Sequence, residues 1–505
     1  MSAQSAARRP RTAGAGAPGL GALLAGIAVA GARFERPIGR LRLHSAEVET
    51  GDVFIALPGA AADGRDYIAE AVARGAAAVL YEAAGTDRQT GLQDGAALLG
   101  IAGLRQRLGE LAARHCGRPS RRLRVIGITG TNGKTTVACL LAQALDRLGG
   151  RCGYIGTVGA GFSGRLAAAE RTTLDAISAQ VRLKTLLDEG ATHVAMEVSS
   201  HGLDQGRVNG IDFKAAVFTN LSQDHLDYHG SMSSYAQAKR KLFEFASLEQ
   251  AVLNVDDPFG RSLVEFCAAR GLAHLTFGAG GALAPSALQL DLGGIRLTLG
   301  YRGKTRRIQS KLLGMINVPN LLAVVGALLA LGRDWDDIAE VMPELEPPPG
   351  RMEVFGRERD GPAVVVDYAH TPEALARALD SLRALCRGRL FVVFGCGGDR
   401  DRDKRPQMGR TAQRRAEVCI VTDDNPRSEP PAQIVEHILQ GMSGKPQVIH
   451  DRVAAVRAAI GQAGPGDVIL LAGKGHETCQ DIGGARRQLS DRACVPALLA
   501  ETGTA

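Results

Sequence analysis

The sequence lacks an apolar run long enough to cross a lipid bilayer. A membrane-spanning helix needs about 20 consecutive apolar residues, whereas the Gly- and Ala-rich stretch at 20–30 is much shorter. Arg8 and Arg9 precede that stretch and loosely imitate a secretory or twin-arginine signal. Because no clear cleavage site follows, we interpret 1–35 as a disordered tail that leads into a first helix. We expect no transmembrane segment and no stable membrane association.

Paired, metal-binding cysteines are also missing. The nine cysteines form no CxxC pair and no Cys/His cluster with the spacing of zinc ligands. An odd and dispersed set of cysteines in a large chain is typical of reduced thiols. The sequence therefore predicts a cytoplasmic location.

Basic tracts interleaved with aromatic residues are absent, although the formal net charge is +7. Such tracts are typical of nucleic-acid-binding surfaces, and here the positive residues are scattered through predicted helices and loops. We expect no nucleic-acid partner and favour a small polyanionic substrate.

The sequence does contain a regular alternation of short apolar runs with helical periodicity. This alternation is typical of α/β domains with mostly parallel, buried sheets. After the tail we predict three domains, at 36–120, 121–349 and 350–505, the last with a Rossmann-like sheet. The predicted strands lie at 52–57, 76–81, 193–198, 215–220, 251–255, 274–277, 363–367, 390–395, 418–422 and 468–472, and one helix is predicted at 373–386.

The strongest single motif is GITGTNGKTT at 127–136, between a predicted strand and a predicted helix. Its glycines let backbone N–H groups approach phosphate oxygens, Lys134 neutralises phosphate charge, and the Thr135 hydroxyl can hold Mg²⁺. Ile128 stands where the usual GxxxxGK[ST] spacing has its first glycine. The alternative is a Gly-rich turn with only a structural role.

A phosphate loop by itself does not choose between a ligase, an ATPase and a GTP-driven switch. No asparagine of this chain is followed by lysine, so the NKxD motif that reads guanine is absent. No GxGxxG is present in the last domain, so dinucleotide binding is not indicated there.

Three segments together resemble the Mur ligase family: TGTNGKTT at 129–136, MEVSSHGL at 196–203 and FTNLSQDHLDYHG at 218–230. The resemblance extends from about Leu41 over nearly the whole chain. It implies a uridine-nucleotide-binding first domain, a central ATP-binding domain and an amino-acid-binding third domain. It further implies an ATP-dependent, amide-forming ligase that works through an acyl phosphate. Within the family the chain looks like the members that add meso-diaminopimelate to UDP-N-acetylmuramoyl-L-alanyl-D-glutamate, in cell wall biogenesis.

The resemblance also implies the residues of the ATP and metal sites. Lys134, Glu197, His225 and Lys239 are the expected catalytic residues, with Lys239 carbamylated by CO₂. Two Mg²⁺ ions are expected, with ligands drawn from Thr135, Glu197, His225 and carbamylated Lys239. The expected ATP-binding residues are Gly130, Thr131, Asn132, Gly133, Lys134, Thr135, Thr136, Asn317, Arg351 and Asp367. Asn320 lies in the GMINVPN segment with Asn317, and His370 lies in the VDYAH segment with Asp367.

The two remaining substrates have expected residues of their own. In the DNPR segment, Arg427 can hold the distal carboxylate of diaminopimelate in a bidentate pair, a group that lysine lacks. The full diaminopimelate set is Arg400, Asp424, Asn425, Pro426, Arg427, Gly473 and Glu477. The UDP-precursor set is Leu43, Ser45, Thr172, Thr173, Ser199, Gln205, Arg207 and Lys239. The chain departs from the family pattern in two places. His44–Ser45–Ala46 stands in the segment that is expected to contact uridine, and Leu174 stands in the loop directly after Thr172 and Thr173.

Three alternatives stay open from the sequence. One is a lysine-adding ligase of the same family, which DNPR disfavours; a folylpolyglutamate synthase would leave the first domain unexplained. The third is a nucleotide-regulated binding protein that hydrolyses ATP without ligation. The predicted partners are the small-molecule substrates only, bound by a monomer.

Overall fold

A computed structural model describes residues 19–27, 38–59, 62–86, 90–169, 171–356 and 361–502. Arg8, Arg9 and most of the predicted tail at 1–35 lie outside the described residues. A helix was expected to follow the tail, and Leu20–Leu24 forms one, with Leu20, Leu23 and Leu24 buried. The mixed α/β class with mostly parallel sheets is confirmed.

The first region forms a five-stranded sheet in the order β1-β2-β3-β5-β4, parallel except for β4. The predicted strands at 52–57 and 76–81 correspond to β2 and β3. The elements are α1 (Leu20–Leu24), β1 (Leu41–Arg42), β2 (Val53–Ala56), α2 (Ile68–Ala73), β3 (Ala78–Glu82), β4 (Gly91–Gln93), β5 (Ala96–Ile101) and α3 (Leu104–His115).

The middle region alternates strands and helices, as its sequence predicts. The elements are β6 (Arg124–Thr129), α4 (Lys134–Arg147), β7 (Cys152–Gly156), β8 (Gly159–Phe162), β9 (Arg165–Ala167), α5 (Ala176–Asp188), β10 (His193–Glu197), α6 (Ser200–Asp204), β11 (Phe213–Phe218), α7 (Leu226–His229), α8 (Met232–Arg240), β12 (Gln250–Asn254), α9 (Pro258–Ala269), β13 (Ala273–Phe277), β14 (Ala284–Asp291), β15 (Gly294–Tyr301), β16 (Lys304–Ser310), α10 (Val318–Ala330) and α11 (Trp335–Val341). The antiparallel sheet β14-β15-β16 was not predicted.

The last region forms a six-stranded sheet in the order β17-β18-β22-β19-β20-β21, in which only β17 is antiparallel. The predicted strands at 363–367 and 468–472 match β18 and β22 residue for residue. The elements are β17 (Glu353–Phe355), β18 (Ala363–Asp367), α12 (Pro372–Arg383), β19 (Leu390–Phe394), α13 (Lys404–Arg415), β20 (Val418–Val421), α14 (Pro431–Leu439), β21 (Gln447–Val448), α15 (Arg452–Gln462), β22 (Val468–Ala472), β23 (Cys479–Ile482), β24 (Ala485–Gln488) and α16 (Asp491–Thr502).

Local sequence explains where several of these elements begin. The Asp175 carboxylate accepts hydrogen bonds from the N–H groups of Ile177 and Ser178, which caps the first turn of α5. Thr371 caps α12 in the same way, and Pro372 occupies its first position. The central strands β6, β10 and β22 are buried along almost their whole length, which explains their unbroken apolar sequence.

The strand predicted at 215–220 is displaced by two residues at both ends, and the helix predicted at 373–386 is α12, which ends three residues earlier. The strand predicted at 215–220 is β11, which ends at Phe218. The next residues, Thr219 and Asn220, instead bind the backbone of the phosphate loop. Their polar groups therefore serve a loop and not a strand.

Contacts divide the chain into two compact units. The first comprises Met1–Thr129, Gly150–Ala216 and Gln223–Glu249, and the second comprises Gly130–Gly149, Val217–Ser222 and Gln250–Ala505. Within the first unit, β10 runs parallel to both β6 and β7, and β8 and β9 extend from β7 as antiparallel strands. The six-stranded sheet belongs to the second unit.

No helix in the described part of the chain is both long and apolar enough to span a membrane.

Candidate active site

The phosphate loop at 130–136 turns so tightly that two of its glycines have no room for a side chain. Gly130 and Gly133 both have positive φ, 149° and 86°. A Cβ atom on Gly130 would lie 1.9 Å from Thr219 Oγ1, and one on Gly133 would lie 2.1 Å from Asn320 Oδ1. The loop backbone is thus held close to its neighbours, as a phosphate-binding loop requires.

A segment that the sequence analysis gave no role, 219–222, supports this loop. The Thr131 N–H donates to the Asn220 carbonyl oxygen at 2.8 Å, and the Asn132 N–H donates to Asn220 Oδ1 at 3.0 Å. The Thr219 hydroxyl donates to the Asn132 carbonyl oxygen at 2.6 Å. These bonds fix the orientation of the loop. Their only sequence signal is the TNLS stretch directly after β11.

Lys134 is the first residue of α4, and its ammonium lies over the loop. Its Nζ donates to the carbonyl oxygens of Gly130 at 2.9 Å and Thr131 at 2.8 Å. Thr135 and Thr136 follow in the first helical turn, where both side chains are buried. A positive charge at a helix N-terminus, surrounded by backbone N–H groups, attracts phosphate.

Asn317 and Asn320 meet next to this loop. Asn320 Nδ2 donates to Asn317 Oδ1 at 2.8 Å, and Asn317 Nδ2 donates to the Leu313 carbonyl oxygen at 2.9 Å. Asn320 Oδ1 faces Gly133. The structure thus brings the predicted GMINVPN segment to the phosphate loop, whereas contact of Asn317 with the nucleotide stays a prediction.

Arg351 and Asp367 form a second predicted group in the same unit. The Arg351 guanidinium lies 4.7 Å from the centre of the Tyr368 ring. Its buried Nε has no hydrogen-bond partner in the described ranges. Asp367 accepts hydrogen bonds from the N–H groups of Met352 and Ala369. Desolvation raises the pKa of the Asp367 carboxyl, and the charge of Arg351 opposes this shift.

In the first unit, Glu197 stands at the carboxyl end of β10 and is fully buried. Its Oε1 accepts from the Tyr154 hydroxyl and from the Thr157 N–H at 2.9 Å, and its Oε2 accepts from Thr157 Oγ1 at 3.1 Å. Three donors therefore fix the orientation of this carboxylate. It is not a surface ion-pair residue.

Four predicted UDP-precursor residues form one hydrogen-bonded group. Thr173 Oγ1 lies 3.0 Å from Ser199 Oγ and accepts from the Ser199 N–H at 2.9 Å. Arg207 donates from Nη1 to the Thr173 carbonyl oxygen at 3.0 Å and from Nε to Gln205 Oε1 at 2.9 Å. Thr172 is tied to Thr157 at 3.1 Å.

The charge around this group suits an anion. Burial lowers the pKa of Arg207, and the positive charge of Arg171 lowers it further, with a smaller effect of Arg105. An anionic ligand would relieve this repulsion. Neither Arg105 nor Arg171 was singled out from the sequence, since isolated arginines carry no motif.

Leu43 and Ser45 lie in the first region. Leu43 is half-buried against the apolar core there. The buried Ser45 hydroxyl donates to Glu70 Oε2 at 2.8 Å. Their contact with uridine stays a prediction.

His225 is part of a cluster of aromatic rings in the first unit, and Lys239 lies against one of these rings. The His201 ring centre lies 4.7 Å from that of His225 and 5.3 Å from that of His229. Burial and the two neighbouring histidines lower the pKa of His201 to about 4. Lys239 is buried, with Nζ 4.4 Å from the centre of the Tyr235 ring. Lys239 is therefore not a solvated surface lysine.

No group of three or more His, Cys, Asp or Glu side chains in the described ranges is arranged to hold a metal ion. Magnesium in phosphate-transfer sites is commonly held by only one or two carboxylates, together with substrate phosphates and water. The Glu197 carboxylate and the Thr135 hydroxyl are oxygen donors of this kind. These residue types fit such an ion, and the imidazole of His225 offers a nitrogen donor besides.

The DNPR segment is held by the β23–β24 hairpin. The Arg427 N–H donates to the Asp481 carbonyl oxygen at 3.0 Å, and the Gly483 N–H donates to the Arg427 carbonyl oxygen at 2.7 Å. Arg427 has a positive φ of 52°. Its Nη1 donates to the Gly398 carbonyl oxygen at 2.6 Å, so its guanidinium lies against the Gly-rich GCGG turn at 395–398.

The three predicted amino-acid-site residues outside that segment are Arg400, Gly473 and Glu477. Asn425 Nδ2 donates to Glu477 Oε2 at 2.8 Å. A Cβ atom on Gly473 would lie 2.6 Å from Asp424 Oδ2. Arg400 is exposed, and its side-chain bond is a long one of 3.4 Å to the Asp399 carbonyl oxygen. The structure therefore brings Asn425 and Glu477 into contact but leaves Arg400 at the surface.

A buried ion pair that the sequence analysis missed supports the same loops. Arg405 donates to Glu429 from Nη1 at 3.0 Å and from Nη2 at 2.8 Å, and Glu429 also accepts from the Asp399 N–H at 2.6 Å. The hydrogen bonds from Arg405 lower the pKa of Glu429 to about 2. This pair connects α13, the GCGGD turn and the residues after DNPR.

Three family models match consecutive parts of the chain. They are described as "Mur ligase family, catalytic domain" at 37–115, "Mur ligase middle domain" at 128–328 and "Mur ligase, glutamate ligase domain" at 350–475. Together they cover the three regions described above.

Relatives with high identity carry one name, UDP-N-acetylmuramoyl-L-alanyl-D-glutamate–2,6-diaminopimelate ligase. The protein from Ectopseudomonas mendocina is 51% identical over 457 residues, which cover 90% of this chain and 93% of that protein. The protein from Pseudomonas aeruginosa is 48% identical, with 90% of this chain and 93% of that protein covered.

Three solved structures are similar to this chain along most of its length. A ligase of this name is 37% identical with a TM-score of 0.70, and the match covers 94% of this chain and 98% of that one. MurF of Thermotoga maritima in complex with ADP is 21% identical with a TM-score of 0.58, covering 92% and 96%. Folylpolyglutamate synthase of Mycobacterium tuberculosis complexed with ADP and AMPPCP is 19% identical with a TM-score of 0.60, covering 73% and 92%. The last two likenesses concern the fold alone.

Proposed function

This chain belongs to the Mur ligase family, and we propose that it is the ATP-dependent ligase that joins meso-diaminopimelate to UDP-N-acetylmuramoyl-L-alanyl-D-glutamate. The observation that carries the proposal is the DNPR loop, with Arg427 held against the GCGG turn and Asn425 bonded to Glu477. The 51% identity to a ligase of that name supports it. The reaction is a step of peptidoglycan precursor synthesis.

We propose that the three domains at 36–120, 121–349 and 350–505 bind the uridine nucleotide, ATP and the amino acid respectively. The family matches at 37–115, 128–328 and 350–475 support this division. A cytoplasmic monomer that acts on small molecules, without nucleic acid, fits a biosynthetic ligase of this kind.

The chemistry begins with activation of a carboxylate. A carboxylate does not react with an amine at a useful rate, so a free carboxylate of the D-glutamate first attacks the γ-phosphate of ATP. ADP leaves and an acyl phosphate forms. Lys134 neutralises charge that develops on the transferred phosphoryl group. Its position over the loop carbonyl oxygens of Gly130 and Thr131 supports this role.

The amide forms in a second step. The amino group of diaminopimelate attacks the acyl carbonyl carbon, and a tetrahedral intermediate expels inorganic phosphate. Thr173, Ser199, Gln205 and Arg207 hold the acceptor, and the positive charges near Arg207 favour its anionic groups. No cysteine or serine nucleophile is needed.

Magnesium would supply further neutralisation of phosphate charge. We propose Thr135 as the protein ligand beside the ATP phosphates in the second unit. In the first unit we propose Glu197 and carbamylated Lys239, with His225 as a further ligand. The fixed orientation of the Glu197 carboxylate supports its role.

Carbamylation of Lys239 predicts dependence on CO₂. Removal of dissolved CO₂ and bicarbonate should lower turnover, and bicarbonate should restore it, because a carbamate replaces the ammonium by an anionic oxygen donor. Lys239→Arg should lose at least roughly a hundredfold in kcat, a typical cost of removing an electrostatic group. Steady-state kinetics in degassed buffer test both effects.

Lys241→Met is the matched control, since Lys241 is two residues away and pairs with Asp204 at the surface. Its activity should stay near that of the wild type and keep the bicarbonate response. Full activity of Lys239→Arg, or no response of the wild type to bicarbonate, would contradict the carbamate.

Gly398 offers a test of the amino-acid site. A Cβ atom there would lie 1.9 Å from the Pro426 carbonyl oxygen, so Gly398→Ala should displace the DNPR loop. Overpacking of this kind costs about 1–3 kcal/mol. We expect a raised KM for diaminopimelate with an unchanged KM for ATP. Gly461→Ala is the control, because a Cβ atom there meets nothing within 4 Å. Equal effects of both variants would show that the loop position does not matter.

The proposed function itself is tested by phosphate release from ATP. The UDP-muramoyl dipeptide is present throughout, with meso-diaminopimelate, L-lysine or no amino acid, and the products are identified by mass. Release that requires diaminopimelate, with the matching tripeptide mass, is the expected result. Preference for lysine would support the lysine-adding alternative, and equal phosphate release without any amino acid would support the nucleotide-regulated binding protein.

A further inference from the structure

Lys474 is a buried cation inside the proposed amino-acid site, and the reaction described above gives it no role. It follows β22 directly after Gly473, and its side chain is fully buried. Its Nζ donates to three oxygens: Glu477 Oε2 at 2.9 Å, the Cys479 carbonyl oxygen at 2.8 Å and Asn425 Oδ1 at 3.2 Å. An ammonium has three N–H donors, and here all three have acceptors.

Such a cation is expensive to bury unless its partners compensate it. Two of the three acceptors are side chains, and both belong to residues proposed to bind diaminopimelate. Lys474 has no exposed surface through which it could itself contact the substrate. Its influence on the substrate must therefore pass through Asn425 and Glu477.

Lys474 and the backbone of Asp481 together fix which way the Asn425 amide points. Asn425 Oδ1 accepts from two donors, the Lys474 ammonium and the Asp481 N–H at 3.0 Å. An amide nitrogen cannot accept hydrogen bonds, so the atom that faces two donors must be the oxygen. The amide NH₂ consequently faces Glu477 and donates one of its two protons to Oε2.

The same three residues leave one donor and one acceptor for a ligand. Among the described residues, neither the second N–H of Asn425 Nδ2 nor Glu477 Oε1 has a hydrogen-bond partner. A carboxylate can accept from this N–H and an ammonium can donate to this oxygen. The pair therefore matches a carbon atom that carries both groups, such as the distal end of diaminopimelate. The distal end of lysine carries only the ammonium.

We propose that Lys474 is a positioning residue that sets this donor and acceptor pair and thereby favours a zwitterionic distal end over a simple amine. This inference rests on the proposed function and deepens it. Without the ammonium, the Asn425 amide loses one of the two donors that hold its oxygen, and the Glu477 carboxylate loses its charge partner.

The test compares Lys474→Met and Lys474→Arg with the wild type in steady-state kinetics for all three substrates. Loss of hydrogen bonds to a charged group predicts a rise of about tenfold to a hundredfold in the KM for diaminopimelate in Lys474→Met. The KM values for ATP and the UDP-muramoyl dipeptide should change by less than about twofold, and kcat at saturating diaminopimelate by less than about threefold. Lys474→Arg keeps the charge and should give an intermediate KM.

Two further measurements separate positioning from general damage. KM and the ratio of kcat/KM for diaminopimelate to that for L-lysine do not depend on the fraction of folded enzyme, so a poorly folding variant still reports on the proposal. The ratio should fall in Lys474→Met. In a double-mutant cycle, Lys474→Met should raise KM less in the Glu477→Gln background than in the wild type, because one partner is already altered.

Lys184→Met serves as the control, since Lys184 forms an exposed pair with Asp188 and should change neither KM nor the ratio. A fall in kcat with unchanged KM, an unchanged ratio, or additive effects in the cycle would overturn the role of Lys474. Failure of the proposed function would look different, because the wild type would then show no diaminopimelate-dependent phosphate release.

Discussion

Lys134→Met should reduce kcat by roughly a hundredfold to a thousandfold, the usual cost of removing one preorganised group that stabilises developing charge. Lys134 is the only loop side chain for which we propose neutralisation of the transferred phosphoryl group. Its ammonium is held over the loop by the carbonyl oxygens of Gly130 and Thr131. Phosphate release and product mass, measured with all three substrates at saturation, give the size of the loss.

The matched control lies on the same helix. Arg147→Met removes a cation from the last turn of α4, where it pairs with Glu344 at the surface. This variant should keep wild-type kcat, and both variants should show the unfolding temperature of the wild type within a few degrees. A Lys134→Met enzyme that retained more than about a tenth of wild-type kcat would contradict the role of this residue in phosphoryl transfer.

Arg427→Met should lower kcat/KM for diaminopimelate by about 30-fold to several thousandfold, which corresponds to roughly 2–5 kcal/mol for truncating a buried, hydrogen-bonded charge pair. The guanidinium can bind a carboxylate through two parallel N–H groups, and methionine offers none. Activity with L-lysine should fall much less, because lysine has no distal carboxylate. Kinetics with both amino acids measure this difference.

Two further variants sharpen the result. Arg427→Lys keeps the positive charge but loses the two-pronged geometry, so it should recover only part of the activity. Arg487→Met is the control, because Arg487 is an exposed residue of the hairpin that holds the Arg427 backbone. Equal losses with diaminopimelate and L-lysine would refute the assignment of Arg427 to the distal carboxylate.

Much of the fold was predictable because its parallel strands are buried on both faces. Runs such as Ala363–Asp367 and Val468–Ala472 are continuously apolar, and the predicted and observed bounds coincide. The sheet β14-β15-β16 was missed, since many of its positions are partly exposed and β16 reads KTRRIQS, with basic residues on an exposed surface. Apolar periodicity is weak in such strands.

Parts of the candidate site were predictable where the local backbone requires a particular residue type, because that requirement leaves a motif in the sequence. The glycines at 130 and 133 are needed because neighbouring atoms leave no space for a Cβ atom. Arg405, Glu429 and Lys474 were missed, because a buried charged residue has no signature that distinguishes it from a solvated one in the sequence. Lys239 illustrates the same difficulty, since only its family register suggested more than a surface lysine.

The sequence by itself determined the motif of the phosphate loop and the order of the α/β regions, and through DNPR it predicts an amino acid with a distal carboxylate. These features are local, so a short stretch of residues contains all the information. The tertiary structure alone decided which polar side chains are buried and paired. Residues 425, 474 and 477 come together only when two loops at the strand ends meet, and Thr219 and Asn220 support the phosphate loop from about 90 positions away in the chain. Long-range pairing of this kind depends on packing, which the order of residues does not display.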